Sequence, residues 1–114
     1  MIEKLIQRMF AARNASHLQH WKTKSYAQHQ ALGKYYDGVI DLLDSYVEAH
    51  QGGFGVIGEV LGEVENVSKM IHDDIIWLTA NRENIANNTP ALENIVDELT
   101  ALHMKTLYKL ENLK

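Results

Sequence analysis

Apolar residues recur every three to four positions through almost the whole chain, and this helical period breaks clearly at one place. The sequence holds one proline and seven glycines, and four of the glycines fall between Gly52 and Gly58. The periodic stretch on each side is long enough for two helices. The pattern predicts one all-α domain over residues 1–114, an antiparallel four-helix bundle with helices at about 2–22, 26–51, 57–87 and 90–113.

Two helix starts carry recognisable local signals. Ser25 has a side chain suited to accept from the backbone N–H groups at the start of the second helix. Thr89 precedes Pro90, the single proline, whose fixed φ favours the first position of a helix. These signals predict N-caps at Ser25 and Thr89.

Composition narrows the chemistry and the compartment. The absence of cysteine excludes disulfides, thiolate nucleophiles and cysteine-type zinc sites, which indicates a reducing compartment or stabilisation by oligomerisation. A formal net charge of -4 disfavours DNA binding, because a net negative protein repels the phosphate backbone. No apolar run approaches the roughly 20 residues of a membrane span, and residues 1–10 alternate charged with apolar residues, unlike a signal peptide. A cytoplasmic protein without membrane contact is expected.

Polar residues interrupt the apolar faces of two helices. On the first helix the apolar stripe continues into Arg13, Ser16, His17 and His20, and on the last helix His103 lies in line with apolar residues. A single histidine in such a position is more often a hydrogen-bonded core residue than a ligand. A cluster of them either satisfies itself within the bundle or binds something there.

The second helix carries an acidic stripe. Four carboxylates recur at intervals of four, three and four residues, which places them within about 60° of one another: Asp37, Asp41, Asp44 and Glu48. A solvated face is the common explanation of such a stripe. The alternative is that part of it meets a cation or another subunit.

Oligomerisation is predicted from the third helix. The run from Ile75 to Leu78, "IIWL", is apolar around nearly the whole helix, more than one core face can absorb. One side of this run is therefore expected to pack on another chain, with a homodimer as the minimum.

The order of these residues resembles the pattern of one protein family. His20-Trp21, then His29, then Asp44-x-x-x-Glu48 is similar to the Dps-type mini-ferritins and to the small ferritin-like proteins of some tailed phages. The resemblance implies a ferritin-like four-helix bundle with a ferroxidase iron site shared by two subunits. It implies His20 and His29 as ligands from one subunit and Asp44 and Glu48 from its two-fold mate, with His17 as a supporting or substitute ligand.

The chain also departs from that family. The interval from His20 to His29 is three residues shorter, Gly33 stands where the family has an acidic ligand, and no Lys-rich tail for DNA is present. Over residues 55–114 only the helical pattern agrees. Imidazole and carboxylate without thiolate suit iron, zinc or manganese.

Two functions are open at this point. The first is a ferritin-like metal-binding protein that binds iron, or zinc or manganese, and oxidises Fe(II) at a site shared between subunits. The second is a non-catalytic oligomeric helical protein that binds a small anionic ligand or a host protein through a cationic wall. The residues of that wall are Arg13, His17, His20, Lys24 and His103.

Overall fold

A computed structural model describes residues 1–64 and 66–113. Glu65 and Lys114, which fall inside the predicted domain, lie outside the described residues. All regular secondary structure of the described residues is helical, with no strand among them, so the all-α prediction is confirmed. The chain divides into two compact units, Met1–Glu63 and Val64–Lys114.

The first unit is a helical hairpin of α1 (Ile2–Lys22) and α2 (Tyr26–Phe54). The backbone leaves the helix at Thr23, which is extended, and α2 restarts after Ser25. The Ser25 hydroxyl accepts from the Gln28 amide at 3.3 Å, which confirms the predicted cap. Because the connection is so short, the two helices pack as antiparallel neighbours.

The core of this hairpin consists of three buried side chains, Ile2, Ile6 and Leu43. Other apolar residues of both helices pack around them and stay partly exposed. A segment after α2, residues 55–63, adds Ile57 and Val60 to this cluster; we call it the strap. The strap therefore takes part in the fold of the hairpin.

The strap shows that the predicted start of the third helix at about residue 57 is wrong. Residues 55–64 are not helical, and Gly55 and Gly62 take positive φ values of 92° and 83°, which residues with a Cβ rarely adopt. The Ile57 amide donates to the Gln51 side chain at 3.1 Å, and the Gly58 amide donates to a Glu3 carboxylate oxygen at 2.9 Å. The Ile57 and Gly58 amides thus have side-chain acceptors in place of the carbonyl acceptors that a helix would provide.

The Glu3 carboxylate is expected to hold the strap in a pH-dependent way. The hydrogen bond from Gly58 lowers the pKa of Glu3 below its ordinary value, with a smaller contribution from the chain's amino group. A carboxyl whose pKa is lower in the folded state stabilises that state above its ordinary pKa and stops doing so as the pH falls through the lowered one. The hydrogen-exchange protection factor of the Gly58 amide should thus hold from neutral pH to the ordinary glutamate range and fall below it. Glu3→Ala should lower it at every pH, whereas Glu59→Ala, beside Gly58, should not.

The second unit contains α3 (Val67–Ala80), the short α4 (Arg82–Ile85) and α5 (Pro90–Asn112). The Asn66 side chain caps α3 by accepting from the Lys69 amide at 3.0 Å. α3 ends at Ala80, with Asn81 as its C-cap, so the helix predicted to run from about residue 57 to residue 87 is shorter at both ends. Thr89 does occupy the N-cap position of α5 before Pro90, but its hydroxyl donates to the Asn87 carbonyl instead of capping the helix.

A small core and an ion-pair network hold the second unit together. Leu78 from α3, Ala86 after α4 and Val96 from α5 form the buried cluster. Arg82 forks onto both carboxylate oxygens of Asp97, at 2.7 and 2.9 Å, and also reaches Glu93 at 2.7 Å. The Arg82 guanidinium lowers the pKa of Asp97 and the carboxylates raise that of Arg82. The network joins α4 to the first half of α5.

Candidate functional site

The predicted histidines His20 and His29 meet at the turn between α1 and α2. The His20 Nδ1 lies 2.6 Å from the His29 carbonyl oxygen, and the His29 Nδ1 lies 2.8 Å from the His20 carbonyl oxygen. The two rings stack with centroids 3.6 Å apart and planes inclined by 19°. The pair thus bridges the end of α1 and the first turns of α2 by two reciprocal hydrogen bonds and one ring stack.

These hydrogen bonds fix the tautomer of both rings. A carbonyl oxygen only accepts, so Nδ1 must donate in each histidine. In the neutral ring the Nε2 then carries the lone pair. One of the acceptors, the His20 carbonyl, belongs to the last turn of α1, where helix carbonyls lack intrahelical partners. The pair therefore satisfies a helix end and leaves two Nε2 atoms as acceptors.

Gly33 makes room for the His20 ring. A Cβ at this position would lie 3.3 Å from the His20 Cε1, which is closer than Cβ atoms normally pack, and 3.5 Å from its Nδ1, which is ordinary van der Waals contact. The absence of a side chain at Gly33 thus allows α2 to approach this ring.

A second ring stack lies beside the pair. His17 stacks on Tyr36 with ring centroids 4.0 Å apart, and the centroid of the Trp21 ring lies 4.2 Å from that of His17. The Arg13 guanidinium carbon lies 5.5 Å from the centre of the Tyr36 ring, within cation–π range. Burial lowers the pKa of His17, and the nearby Arg13 lowers it further, which favours the neutral ring. Two residues of the predicted wall therefore contact neighbouring aromatic rings: Arg13 contacts Tyr36, and His17 contacts Tyr36 and Trp21.

Arg13 also borders an open cleft of mixed charge. The cleft is about 270 Å³ in volume and is lined by Arg13, Tyr36, Ile40 and two residues of the acidic stripe, Asp37 and Asp41. An anion bound to Arg13 from this side would meet two carboxylates. This arrangement disfavours a free anionic ligand here.

The remaining predicted ligands lie far along the same helix. Asp44 follows His29 by fifteen residues, about 22 Å at 1.5 Å per residue. Asp44 and Glu48 are exposed, and Asp44 lines an apolar cavity of about 250 Å³ beneath the strap. Within the chain, the described residues contain no group of three or more His, Asp or Glu side chains that could hold a metal ion. The site implied by the resemblance thus requires carboxylates from a second copy.

The ring stack also limits what a metal could do at this turn. Zinc lies about 2.1 Å from an imidazole nitrogen and in the ring plane. An ion midway between rings whose centroids are 3.6 Å apart would lie about 1.8 Å out of each plane. His20 and His29, as stacked here, therefore do not bind one ion together, and each Nε2 is available to a separate ion.

The other residues of the predicted cationic wall are distributed differently. Lys24 is exposed in the connection between α1 and α2. His103 belongs to the second unit, on α5, where its Nδ1 lies 2.7 Å from the Leu99 carbonyl oxygen. The stacking of Tyr36 on His17 and the role of Gly33 are not among the features predicted from the sequence. The spacing of Gly33 four residues after His29, one turn of α2 further along, was the available signal.

None of the described helices combines the length and the apolar character that a membrane crossing requires. The run "IIWL" is divided in the structure, with Leu78 buried and Ile76 and Trp77 more than half exposed.

Comparisons with known proteins find a phage relative and a family. It is 26% identical over 106 residues to an uncharacterized 14.6 kDa protein of Enterobacteria phage T4, an alignment that covers 90% of this chain and 81% of that protein. No solved structure matches it. The profile of DUF5856, a family of unknown function, matches residues 20–110, and the chain therefore belongs to that family.

Proposed function

We propose that this protein is a non-catalytic helical binding protein that works as a homo-oligomer and recognises protein surfaces. The observation that carries the proposal is a stripe of large apolar side chains left exposed on α2. Tyr35, Leu42 and Tyr46 follow one another at intervals of seven and four residues, and Leu42 is 75% exposed. Isolated exposed apolar residues are common, but a continuous stripe of them marks an interaction surface.

The stripe borders a groove suited to an apolar helix. Leu5 and Met9 from α1 and Val39, Leu42, Leu43 and Tyr46 from α2 line a depression of about 380 Å³, and all six side chains are apolar or aromatic. Amphipathic helices bind such grooves through residues spaced three and four apart. A second copy of α2 has that spacing in Tyr35, Val39, Leu42 and Tyr46.

The charge of α2 favours an antiparallel approach of two copies. Its first third carries Lys34 and no carboxylate, whereas residues 37–48 carry the four carboxylates of the acidic stripe. In an antiparallel pair the cationic part of one helix faces the acidic part of the other, while a parallel pair sets the two acidic parts together. The intervals of four, three and four in Tyr35, Val39, Leu42 and Tyr46 read the same in both directions, as a two-fold contact requires.

We also propose that the helices form a ferritin-like four-helix bundle. Each unit buries only three side chains in its core cluster, which is little for a helical hairpin to be stable by itself. Both units also expose apolar residues, Leu42 and Tyr46 on α2 and Ile95 and Leu99 on α5 among them. Burial of these faces in a bundle or between copies would supply the missing apolar contact area.

The oligomer is tested by substitution within the stripe. Leu42→Glu should convert the oligomer into a species of monomer mass, because a charge in the apolar contact loses its water. Ser45→Glu, an exposed position on the same helix, is the matched control and should leave the mass unchanged. Light scattering coupled to size exclusion at micromolar concentration gives the masses. A monomeric wild type, or a Leu42→Glu variant that keeps the wild-type mass, contradicts the proposal.

Metal binding between subunits is a second candidate, supported by one specific observation. The Nδ1 hydrogen bonds leave the Nε2 atoms of His20 and His29 as acceptors, the state in which imidazole binds metals. Asp44 and Glu48 of a second copy are the carboxylates that the mini-ferritin resemblance assigns to such a site, with iron, zinc or manganese as the ion. Asp44 and Glu48 lie on the side of α2 away from the Tyr35–Tyr46 stripe, so this site would need a contact between copies other than the antiparallel pairing proposed above.

A mixing experiment separates a shared site from a site within one chain. His29→Ala and Asp44→Ala should each fail to bind Zn²⁺ at the shared site. Equal mixtures refolded together should recover binding, because a heterodimer of the two variants keeps one complete site. Calorimetric titration with Zn²⁺ provides the measurement. Unchanged binding by either single variant, or no recovery on mixing, rejects the shared site.

A further inference from the structure

The positive charges of the first unit are concentrated in one stretch of the chain. Residues 4–36 carry six Lys and Arg residues and no Asp or Glu, a formal charge of +6. Residues 37–114 carry five Lys and Arg residues against fourteen Asp and Glu residues, a formal charge of -9. The net charge of the chain therefore averages two regions of opposite sign, and a polyanion is attracted to the first of them.

Exposed aromatic rings lie within this cationic stretch, at the end of the α1–α2 hairpin. Trp21 is 66% exposed, although its ring centroid lies only 4.2 Å from that of His17. Tyr26, the first residue of α2, is 73% exposed. A planar ring that is supported by a neighbour and remains mostly exposed offers a surface on which a nucleobase can stack.

Cationic side chains accompany these rings. Lys22 and Lys24 are exposed, and in the sequence they separate Trp21 from Tyr26. The ion pairs formed among residues 1–64 and 66–113 do not include Arg13, Lys22 or Lys24. These three charges can therefore bind phosphate groups without first leaving a carboxylate partner.

A cleft on α1 brings a cation and a ring together. It is about 360 Å³ in volume, and its described lining residues all belong to α1: Arg13, Asn14, His17, Leu18 and Trp21. None of these residues is a carboxylate, in contrast to the cleft of mixed charge that Arg13 borders together with α2. The volume lies in the range of small-ligand pockets, so the cleft can hold a nucleobase beside Trp21 and a phosphate beside Arg13.

We propose that this end of the α1–α2 hairpin binds single-stranded nucleic acid. Bases stack on the exposed rings of Trp21 and Tyr26, and Arg13, Lys22 and Lys24 bind the phosphates. A single strand fits this site because its bases are free to stack on protein side chains, whereas the bases of a duplex stack on one another. The acidic stripe, which begins at Asp37, repels phosphate and confines the strand to the nucleotides nearest the turn.

The apolar side chains of the stretch favour a nucleic acid over an anionic membrane. Helices that lie on a membrane bury a broad apolar face rich in large aliphatic residues. In residues 4–36 the exposed large apolar side chains are three aromatic residues and one leucine: Trp21, Tyr26, Tyr35 and Leu18. Separate aromatic rings among cations are the arrangement that stacking requires.

Fluorescence anisotropy of labelled oligonucleotides of about ten nucleotides tests the site on the full-length protein. Trp21→Ala should weaken binding of a deoxythymidine oligomer at least tenfold, because one stacking surface is lost. Trp77→Ala, which removes an exposed tryptophan of the second unit, is the matched control and should bind as wild type. A uridine oligomer forms the second arm, and tighter binding of uridine than of deoxythymidine would identify RNA as the ligand.

The salt dependence tests the lysines. Replacement of Lys22 and Lys24 together by glutamine should weaken binding and flatten its logarithmic dependence on salt by about 0.7 for each lysine lost. Replacement of Lys105 and Lys109 by glutamine removes the same charge from the second unit and should leave affinity and slope close to wild type. The site is independent of the oligomer proposed above, so Leu42→Glu should bind the oligonucleotide with wild-type affinity per chain.

Tryptophan fluorescence locates the stacking, since the chain has only two tryptophans. Oligonucleotide should quench the emission of Trp21 in the Trp77→Phe variant and leave that of Trp77 unchanged in the Trp21→Phe variant. Equal affinity for a duplex and a single strand, or wild-type affinity of either Trp21→Ala or the variant lacking Lys22 and Lys24, would overturn the proposal. Binding to phosphatidylserine vesicles without binding to either oligonucleotide would overturn it as well.

Discussion

Replacement of Leu43 by alanine should cost the first unit about 2–5 kcal/mol of folding free energy, a large part of the stability of a domain this small. Leu43 is 7% exposed and contacts the buried Ile2 and Ile6. It also lines both the cavity under the strap and the open groove on the other face of the hairpin. Its truncation would join these two spaces, and the surroundings have few buried residues with which to fill the gap.

Urea denaturation followed by circular dichroism measures this effect, and Leu18→Ala is the matched control. Leu18 is a helical leucine of the same hairpin with half of its side chain exposed, so its truncation removes little buried area. The Leu43→Ala variant should unfold at clearly lower urea than wild type, with Leu18→Ala close to wild type. Equal midpoints for the two variants would show that Leu43 is not the centre of the core.

The second large effect is expected at Gly33, which the His20 ring approaches. Gly33→Val should cost about 1–3 kcal/mol, the range for overpacking a close contact, because the branched side chain must displace the ring. The displaced ring would lose its stack on His29 and its hydrogen bond to the His29 carbonyl. Valine and glycine differ little in helix propensity, so the steric effect dominates.

Gly38 offers the same substitution where the first unit leaves open space. A Cβ at Gly38 would meet nothing within 4 Å, so Gly38→Val should leave the thermal midpoint almost unchanged. The contrast between the two variants isolates the contact with His20 from the general effect of valine in a helix. Similar midpoints for Gly33→Val and Gly38→Val would contradict the close packing of His20 against α2.

Local sequence signals predicted the first hairpin well. The apolar period gave the bounds of α1, and the Ser25 cap is confirmed, because both depend on residues that are neighbours along the chain. The predicted third helix begins too early, because Val60, Val64 and Val67 continue its apolar stripe toward the N-terminus. The strap instead depends on a hydrogen bond between Glu3 and Gly58, residues 55 positions apart, which a local period does not encode.

In the candidate site, too, the features set by neighbouring residues were predictable from the sequence and those set by distant residues were not. The grouping of His20 and His29 at a turn followed from their positions at the end of one predicted helix and the start of the next. Their stacking did not, because it requires the missing Cβ of Gly33 and carbonyl acceptors in the opposite helix. The distance of about 22 Å between His29 and Asp44 follows from helix geometry alone. A metal site that includes both residue types therefore needs Asp44 from a second copy.

His20 and His29 lock the turn between α1 and α2 through reciprocal hydrogen bonds from Nδ1 to backbone carbonyls. Long-range ¹H–¹⁵N correlation spectra of the wild-type protein without added metal report the protonated nitrogen of each ring directly. The structure predicts a proton on Nδ1 of both histidines. A protonated Nε2 with a bare Nδ1 in either ring would contradict the lock.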